Sequence, residues 1–199
     1  MKILLATQNQ GKVKELQELL ADAQIEVLSL QDIPNWEEVE ETGSTFAENA
    51  ALKAHVAAER TGYIALADDS GLEVDALNGA PGVYSARYAG EPKDDERNND
   101  KLINALEKFP DEERTGRFRC ALVIATPDGQ EFLTEGTVEG RILHAPRGQE
   151  GFGYDPLFFI PDFGRTMAEL TMIQKNKISH RAQAFQRAIP ILKDLVKNI

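Results

Sequence analysis

The first half of the chain alternates between short apolar runs and stretches of helical periodicity. From Lys2 to Ala6 the residues are almost continuously apolar, which predicts a buried strand, and from Lys12 to Ala21 the positions Val13, Leu16, Leu19 and Leu20 share one helical face. Glu26 to Leu30 predicts a second strand. A loop from Gln31 to Gly43 follows, carrying Pro34 and the acidic run Glu37-Glu38-Val39-Glu40-Glu41. The strongest helix signal is Thr45 to Arg60: alanines dominate, Ser44 or Thr45 can cap the first turn, and Glu48 is placed as a capping box requires. Tyr63-Ile64-Ala65-Leu66 then predicts a strand ending at Asp69. After it come a Ser70-Gly71 turn, a short strand from Leu72 to Val74 and a Gly/Pro-rich loop from Asn78 to Gly82.

The second half reads differently. A polar-faced helix from Asp94 to Lys108 precedes two strand patterns, Arg117 to Thr126 and Gln130 to Val138, which flank the hairpin signal Pro127-Asp128-Gly129. Beyond the loop from Ala145 to Gly153, Pro156 to Ile160 predicts a strand and Ala182 to Lys197 a closing helix, bent or restarted at Pro190. Strands that alternate with helices early and pair as hairpins later predict an α/β fold. Its expected form is a long mixed β-sheet flanked by helices, built as two lobes within one domain spanning residues 1–199.

Composition narrows the partners. The formal net charge of −11 argues against a nucleic acid, which calls for a basic stripe. Anionic small molecules must then be met by local Lys and Arg residues or by a divalent cation. Cys120, the single cysteine, permits no intrachain disulfide and fits a reducing, cytoplasmic setting. It alternates with Phe118, Leu122 and Ile124, as a buried structural thiol would. The apolar start, Met1 to Ala6, is too short for a signal peptide, and no run is long enough to span a membrane.

Four segments carry candidate chemistry. The adjacent carboxylates Asp68 and Asp69 follow an apolar strand pattern, where an α/β enzyme places a metal ligand or a general base. Successive residues of a strand face opposite sides, so one of the two is expected to be functional and the other a turn or cap residue. Thr7-Gln8-Asn9-Gln10-Gly11-Lys12 links the first strand to the first helix, whose free N–H groups, with Lys12, suit an anion. The glycine spacing is not that of a Walker loop. Glu40 and Glu41 lie in a loop before a helix, and Glu41 with Asp69 would suffice for magnesium, which takes few protein carboxylates. In Phe152-Gly153-Tyr154-Asp155 two aromatics can stack on a flat base and an aspartate can read its edge, with Lys175, His180 and Arg181 downstream. Three scattered histidines and one cysteine make no zinc site.

In their joint order and spacing, Thr7 to Lys12, Glu41-Thr42-Gly43, Asp68-Asp69-Ser70-Gly71, and Phe152 to Asp155 with Ser179-His180-Arg181 resemble the inosine/xanthosine triphosphate pyrophosphatase family. The resemblance runs from Met1 to the last helix. It implies a cytoplasmic, Mg2+-dependent homodimer with a long sheet between two lobes and the active site in the cleft between them. The implied activity is hydrolysis of ITP, dITP and XTP to the monophosphate and pyrophosphate. It further implies that Thr7, Asn9 and Lys12, within a loop that includes Gln8, Gln10 and Gly11, hold the triphosphate. Glu41, or Glu40 beside it, and Asp69 would serve the metal, with Asp69 also activating water. Ser70, Phe152, Gly153, Tyr154, Asp155, Lys175, His180 and Arg181 would bind the nucleotide. Two rivals stay open: a Maf-like pyrophosphatase acting on other modified or ordinary nucleotides, and a nucleotide sensor without catalysis.

Overall fold

A computed structural model describes residues 2–20 and 25–197. Its seven-stranded mixed sheet has the order β2-β1-β3-β4-β5-β6-β7, formed by Lys2–Leu5 (β1), Glu26–Ser29 (β2), Ile64–Val74 (β3), Thr115–Ala125 (β4), Glu131–Ile142 (β5), Phe158–Ile160 (β6) and Arg165–Thr166 (β7). β1 lies parallel to β2 and to β3, whereas β6 is antiparallel to both β5 and β7. The helices are Gln10–Leu20 (α1), Phe46–Thr61 (α2), Asp95–Ala105 (α3), Met172–Ile178 (α4) and His180–Lys197 (α5). The predicted end of the first helix, Ala21, lies outside the described residues, as do the side chains of Leu16, Leu19 and Leu20.

The chain divides into two compact units. The first comprises residues 1–69, 120–136 and 181–199; the second comprises 70–119 and 137–180. In the first unit the two faces of the sheet bury different sets. Ile3, Leu5, Ile64, Leu66, Cys120, Leu122 and Ile124 pack against Ala184, Phe185, Ala188 and Leu192 of α5. The alternate residues Leu4, Ala65, Ala67, Val123 and Ala125 pack against Ala50, Ala54, Ala57 and Ala58 of α2. Alanine is favoured on α2 because it is a strong helix former and lets the helix approach the sheet closely. Cys120 is buried as expected, and burial pushes its thiol well above the usual range. In the second unit Leu72, Val74, Leu102, Phe118, Tyr154 and Phe158 are among the buried core.

Several boundaries differ from the sequence reading. The expected turn at Ser70-Gly71 is absent: β3 runs unbroken from Ile64 to Val74. It is an interior strand with neighbours on both sides, and ladder pairing outweighs a local Ser-Gly turn preference. α4 and β7 were not foreseen, although Thr171 and Gln174 form a capping box that marks the start of α4. α3 stops at Ala105, and α5 begins at His180 and continues through Pro190. Pro190 is exposed, so water can satisfy the carbonyl one turn earlier that its missing N–H leaves without a donor. The hairpin turn forms as read, with Gly129 at φ 90° and the Thr126 N–H donating to the Gln130 carbonyl at 3.0 Å.

Candidate active site

Alternation along β3 sends its two aspartates to opposite faces. Asp68 has the parity of Ile64 and Leu66, which pack toward α5, and Asp69 that of Ala65 and Ala67, which pack toward α2. On the α5 side, Lys12 Nζ of α1 lies 2.9 Å from Asp68 Oδ2, and Arg181 Nε donates to the same oxygen at 3.3 Å. Asp68 is therefore a buried ionic node and not the turn or cap residue expected from sequence. Burial alone would raise its pKa, but Lys12, Arg181 and Lys53 outweigh burial and hold the carboxyl well below the usual carboxylate range.

On the α2 side, Asn49 Nδ2 donates to Asp69 Oδ2 at 3.1 Å, and Lys53 Nζ lies 3.9 Å from Asp69 Oδ1. Lys53 also donates to Glu41 Oε1 at 2.7 Å and to the Asp68 carbonyl at 2.9 Å. The structure thus brings Glu41, Lys53 and Asp69 together and leaves Glu40 exposed. Burial pushes the Asp69 carboxyl above its ordinary range and Glu41 adds to the shift, against the pull of Lys53, Lys12 and Asn49. For Lys53 burial acts downward, but Asp69, Glu41 and Asp68 outweigh it and the ammonium is held protonated. Sequence reasoning missed Asn49 and Lys53. Their signal was present as two polar residues four apart, one helical turn, on the alanine face of α2.

The link from β1 to α1 forms a tight, capped turn. Thr7 Oγ1 accepts from the Asn9 N–H at 3.2 Å, and Asn9 Oδ1 accepts from the Lys12 N–H at 3.2 Å, so Asn9 caps α1. Gln8 and Gln10 are exposed, Gln10 Nε2 donating to the Gln8 carbonyl at 3.4 Å, while Gly11 is half-buried.

In the second unit, Lys175 Nζ donates to Asp155 Oδ2 at 2.9 Å, and the Phe152 N–H donates to the same oxygen at 3.1 Å. The Lys175 ammonium lies 5.7 Å from the Phe152 ring centroid. Tyr154 is turned into the core, its hydroxyl donating to the Ser85 carbonyl at 2.8 Å, whereas Phe152 stays half-buried. The peptide at Gly153, where φ is 62°, is gripped on both sides by α3: its N–H donates to Asp95 Oδ2 at 2.7 Å and its carbonyl accepts from Asn99 Nδ2 at 2.9 Å. His180 stacks on Phe118, ring centroids 5.0 Å apart, and Ser70 lies half-buried within β3.

A family model described as the Ham1 family matches residues 3–191. The chain belongs to the Ham1 family. Among its Ham1 relatives, the dITP/XTP pyrophosphatase of Desulforamulus reducens is 58% identical, over 98% of this chain and 97% of that one. The dITP/XTP pyrophosphatase of Bacillus subtilis is 51% identical over 96% of each. Among solved structures, a HAM1 protein from Coxiella burnetii matches with a TM-score of 0.89 at 44% identity, covering 98% of this chain and 99% of that one. The nucleoside-triphosphatase, dITP/XTP pyrophosphatase, from Mycobacterium abscessus gives 0.78 at 45% identity, covering 96% of this chain and all, 100%, of that one. Among the described residues, no helix of this Ham1 protein is long and apolar enough to cross a membrane.

Proposed function

We propose that this Ham1-family chain hydrolyses dITP, ITP and XTP to the nucleoside monophosphate and pyrophosphate, with magnesium as its metal. The observation that carries the reading is the convergence of Glu41 and Asp69 on Lys53, one residue along β3 from the carboxylate that holds Lys12. The names of the relatives point to the same reaction.

The donor set fits a hard cation. Two carboxylates approach one ammonium, and among the described residues no group of three or more His, Cys, Asp or Glu could hold a metal by itself. Magnesium suits such a pair, because it completes its shell with substrate phosphates and water. When bound, it supplies neutralisation of the phosphate charge. Glu41 is the better partner for Asp69 on geometry, Glu40 being exposed.

The chain's own residues account for the rest. Thr7, Asn9 and Lys12, with the N–H groups of Gln10 and Gly11 at the start of α1, hold the triphosphate as an anion at a helix N-terminus. The pyrophosphate then leaves from this grip as charge develops on it. Asp69, its pKa raised by burial, takes the proton of a water aligned with the α-phosphorus. Phe152 offers the partly exposed ring against which a purine stacks, with Tyr154, Gly153 and Asp155 fixing its backbone. Ser70, Lys175, His180 and Arg181 complete the nucleotide contacts. A donor aimed at the purine 6-oxygen is left unpaired by adenine, at a cost of about 1–3 kcal/mol. The lone buried thiol and negative charge fit a cytoplasmic protein, which we read as a homodimer without a nucleic acid partner.

A pyrophosphate-release panel tests the reading. With Mg2+, dITP and XTP are expected to turn over about a hundredfold faster than ATP and GTP, and excess chelator should reduce all rates to background. Preferential hydrolysis of pyrimidine triphosphates would favour the Maf-like alternative, and tight dITP binding without turnover a sensor. Full activity in metal-free buffer would remove the metal from the scheme.

Arg181 separates base recognition from phosphate binding. Arg181→Ala should lower kcat/KM for dITP about tenfold, the equivalent of one hydrogen bond from a charged donor, and dATP much less. Equal losses would place Arg181 on the phosphates with Lys12, a role their shared Asp68 carboxylate also suits.

A further inference from the structure

We infer that Asn49 is a positioning residue for metal binding and turnover, acting through Asp69 and through the loop that carries Glu41. This rests on the reading that Glu41 and Asp69 serve the metal. Asn49 is wholly buried, 0% exposed, on the face of α2 that also buries Phe46, Ala50, Ala54, Ala57 and Ala58. A carboxamide there is costly unless its polar atoms are satisfied. Both ends have partners: Nδ2 donates to Asp69 Oδ2 at 3.1 Å, and Oδ1 accepts from the Gly43 N–H at 2.7 Å.

These partners fix which way the amide points. Exchanging oxygen and nitrogen would set an acceptor against a carboxylate and a donor against an N–H. The residue four positions on repeats the arrangement. Lys53 holds Glu41 of the loop and the Asp68 carbonyl of β3, as Asn49 holds Gly43 of the loop and the Asp69 carboxylate of β3. Two successive turns of α2 therefore bridge the same two segments, one with a cation and one with a neutral amide. Asn49 occupies Asp69 Oδ2, so the carboxylate cannot rotate about its terminal bond without breaking a buried hydrogen bond.

Gly43 belongs to the same device. A Cβ on it would stand 2.7 Å from Asn49 Oδ1 and 2.7 Å from Glu48 Cβ. A methyl group there pushes the carboxamide off its two partners while leaving Asn49 in the sequence. The site can thus be perturbed from the helix or from the loop.

The test is a calorimetric titration of Mn2+ into the substrate-free protein, paired with steady-state kinetics on dITP, for wild type, Asn49→Ala, Gly43→Ala and Asp69→Asn. Both positioning variants should bind Mn2+ about 10- to 100-fold more weakly and lose a similar factor in kcat, as for other residues that orient metal ligands. KM for dITP should stay within about threefold, because the turn from Thr7 to Lys12 is untouched. A purely structural Asn49 would lower the melting temperature and leave the Mn2+ affinity and kcat of the folded protein unchanged. If Asn49→Ala does not fold, Gly43→Ala decides alone. Wild-type Mn2+ affinity and kcat in the folded variants, with both lost in Asp69→Asn, would overturn the inference. Retention of both in Asp69→Asn would instead remove the carboxylate assignment on which it rests.

Discussion

Asp69→Asn is expected to reduce dITP turnover at least about a thousandfold while the protein folds as before. The amide keeps the shape of the side chain and can still meet Asn49, but it has neither the negative charge for a cation nor the basicity to accept a proton. Stability should not fall. Burial raises the Asp69 pKa above its ordinary value, so the native state favours the protonated acid, and its charge works against folding as the pH rises above the unfolded value of about 3.9. A neutral amide removes that opposition, and a thermal melt at pH 8 should show Asp69→Asn at or above wild type. Near-normal turnover would mean that another group accepts the proton.

The neighbouring substitution should behave in the opposite way. Asp68→Asn leaves Lys12 and Arg181 beside each other without their shared carboxylate, and their side chains are only 13% and 8% exposed. Breaking a buried ion pair from one side costs about 3 kcal/mol, equivalent to roughly 6–12 °C in melting temperature for a chain of this size. Turnover should fall less than in Asp69→Asn, because the reacting carboxylate is intact. The acid limb carries a second signature. The folded pKa of Asp68 is depressed, so its stabilisation is fully present above the unfolded value of about 3.9 and is lost as the pH falls through the folded one. Urea midpoints measured in chelator should therefore stay apart by a constant amount for wild type and Asp68→Asn above about pH 4 and converge as the pH falls below it. A gap that also stays constant below about pH 4 would show that folding does not depress the Asp68 pKa.

The two aspartates also show how far a sequence can be read. Alternation correctly implied that they face opposite ways, and periodicity located α2 and its capping Thr45, whose side chain accepts from the Glu48 N–H. What Asp68 does was not legible. Its partners are 56 residues before it and 113 after it, and only parallel pairing of β1 with β3 and the docking of α5 bring them together. The unbroken course of β3 was hidden for the same reason, since Ser70-Gly71 reads locally as a turn and only neighbouring strands make it a strand. Lys53 and Asn49 were masked by the alanine-rich pattern around them, in which a lysine reads as a solvated face. In the second unit the glycine-flanked aromatics from Phe152 to Asp155 could be picked out as candidates from sequence alone. The inward turn of Tyr154 and the grip of Asp95 and Asn99 on Gly153 could not, because both depend on where α3 packs.

The bond that breaks can be read directly by hydrolysing dITP in H2(18)O with Mg2+ and resolving the products by mass spectrometry. Attack of water at the α-phosphorus places one labelled oxygen in dIMP and none in an intact pyrophosphate, and that is the result expected. Release of dIDP with labelled orthophosphate, or a label carried by the pyrophosphate, would contradict it.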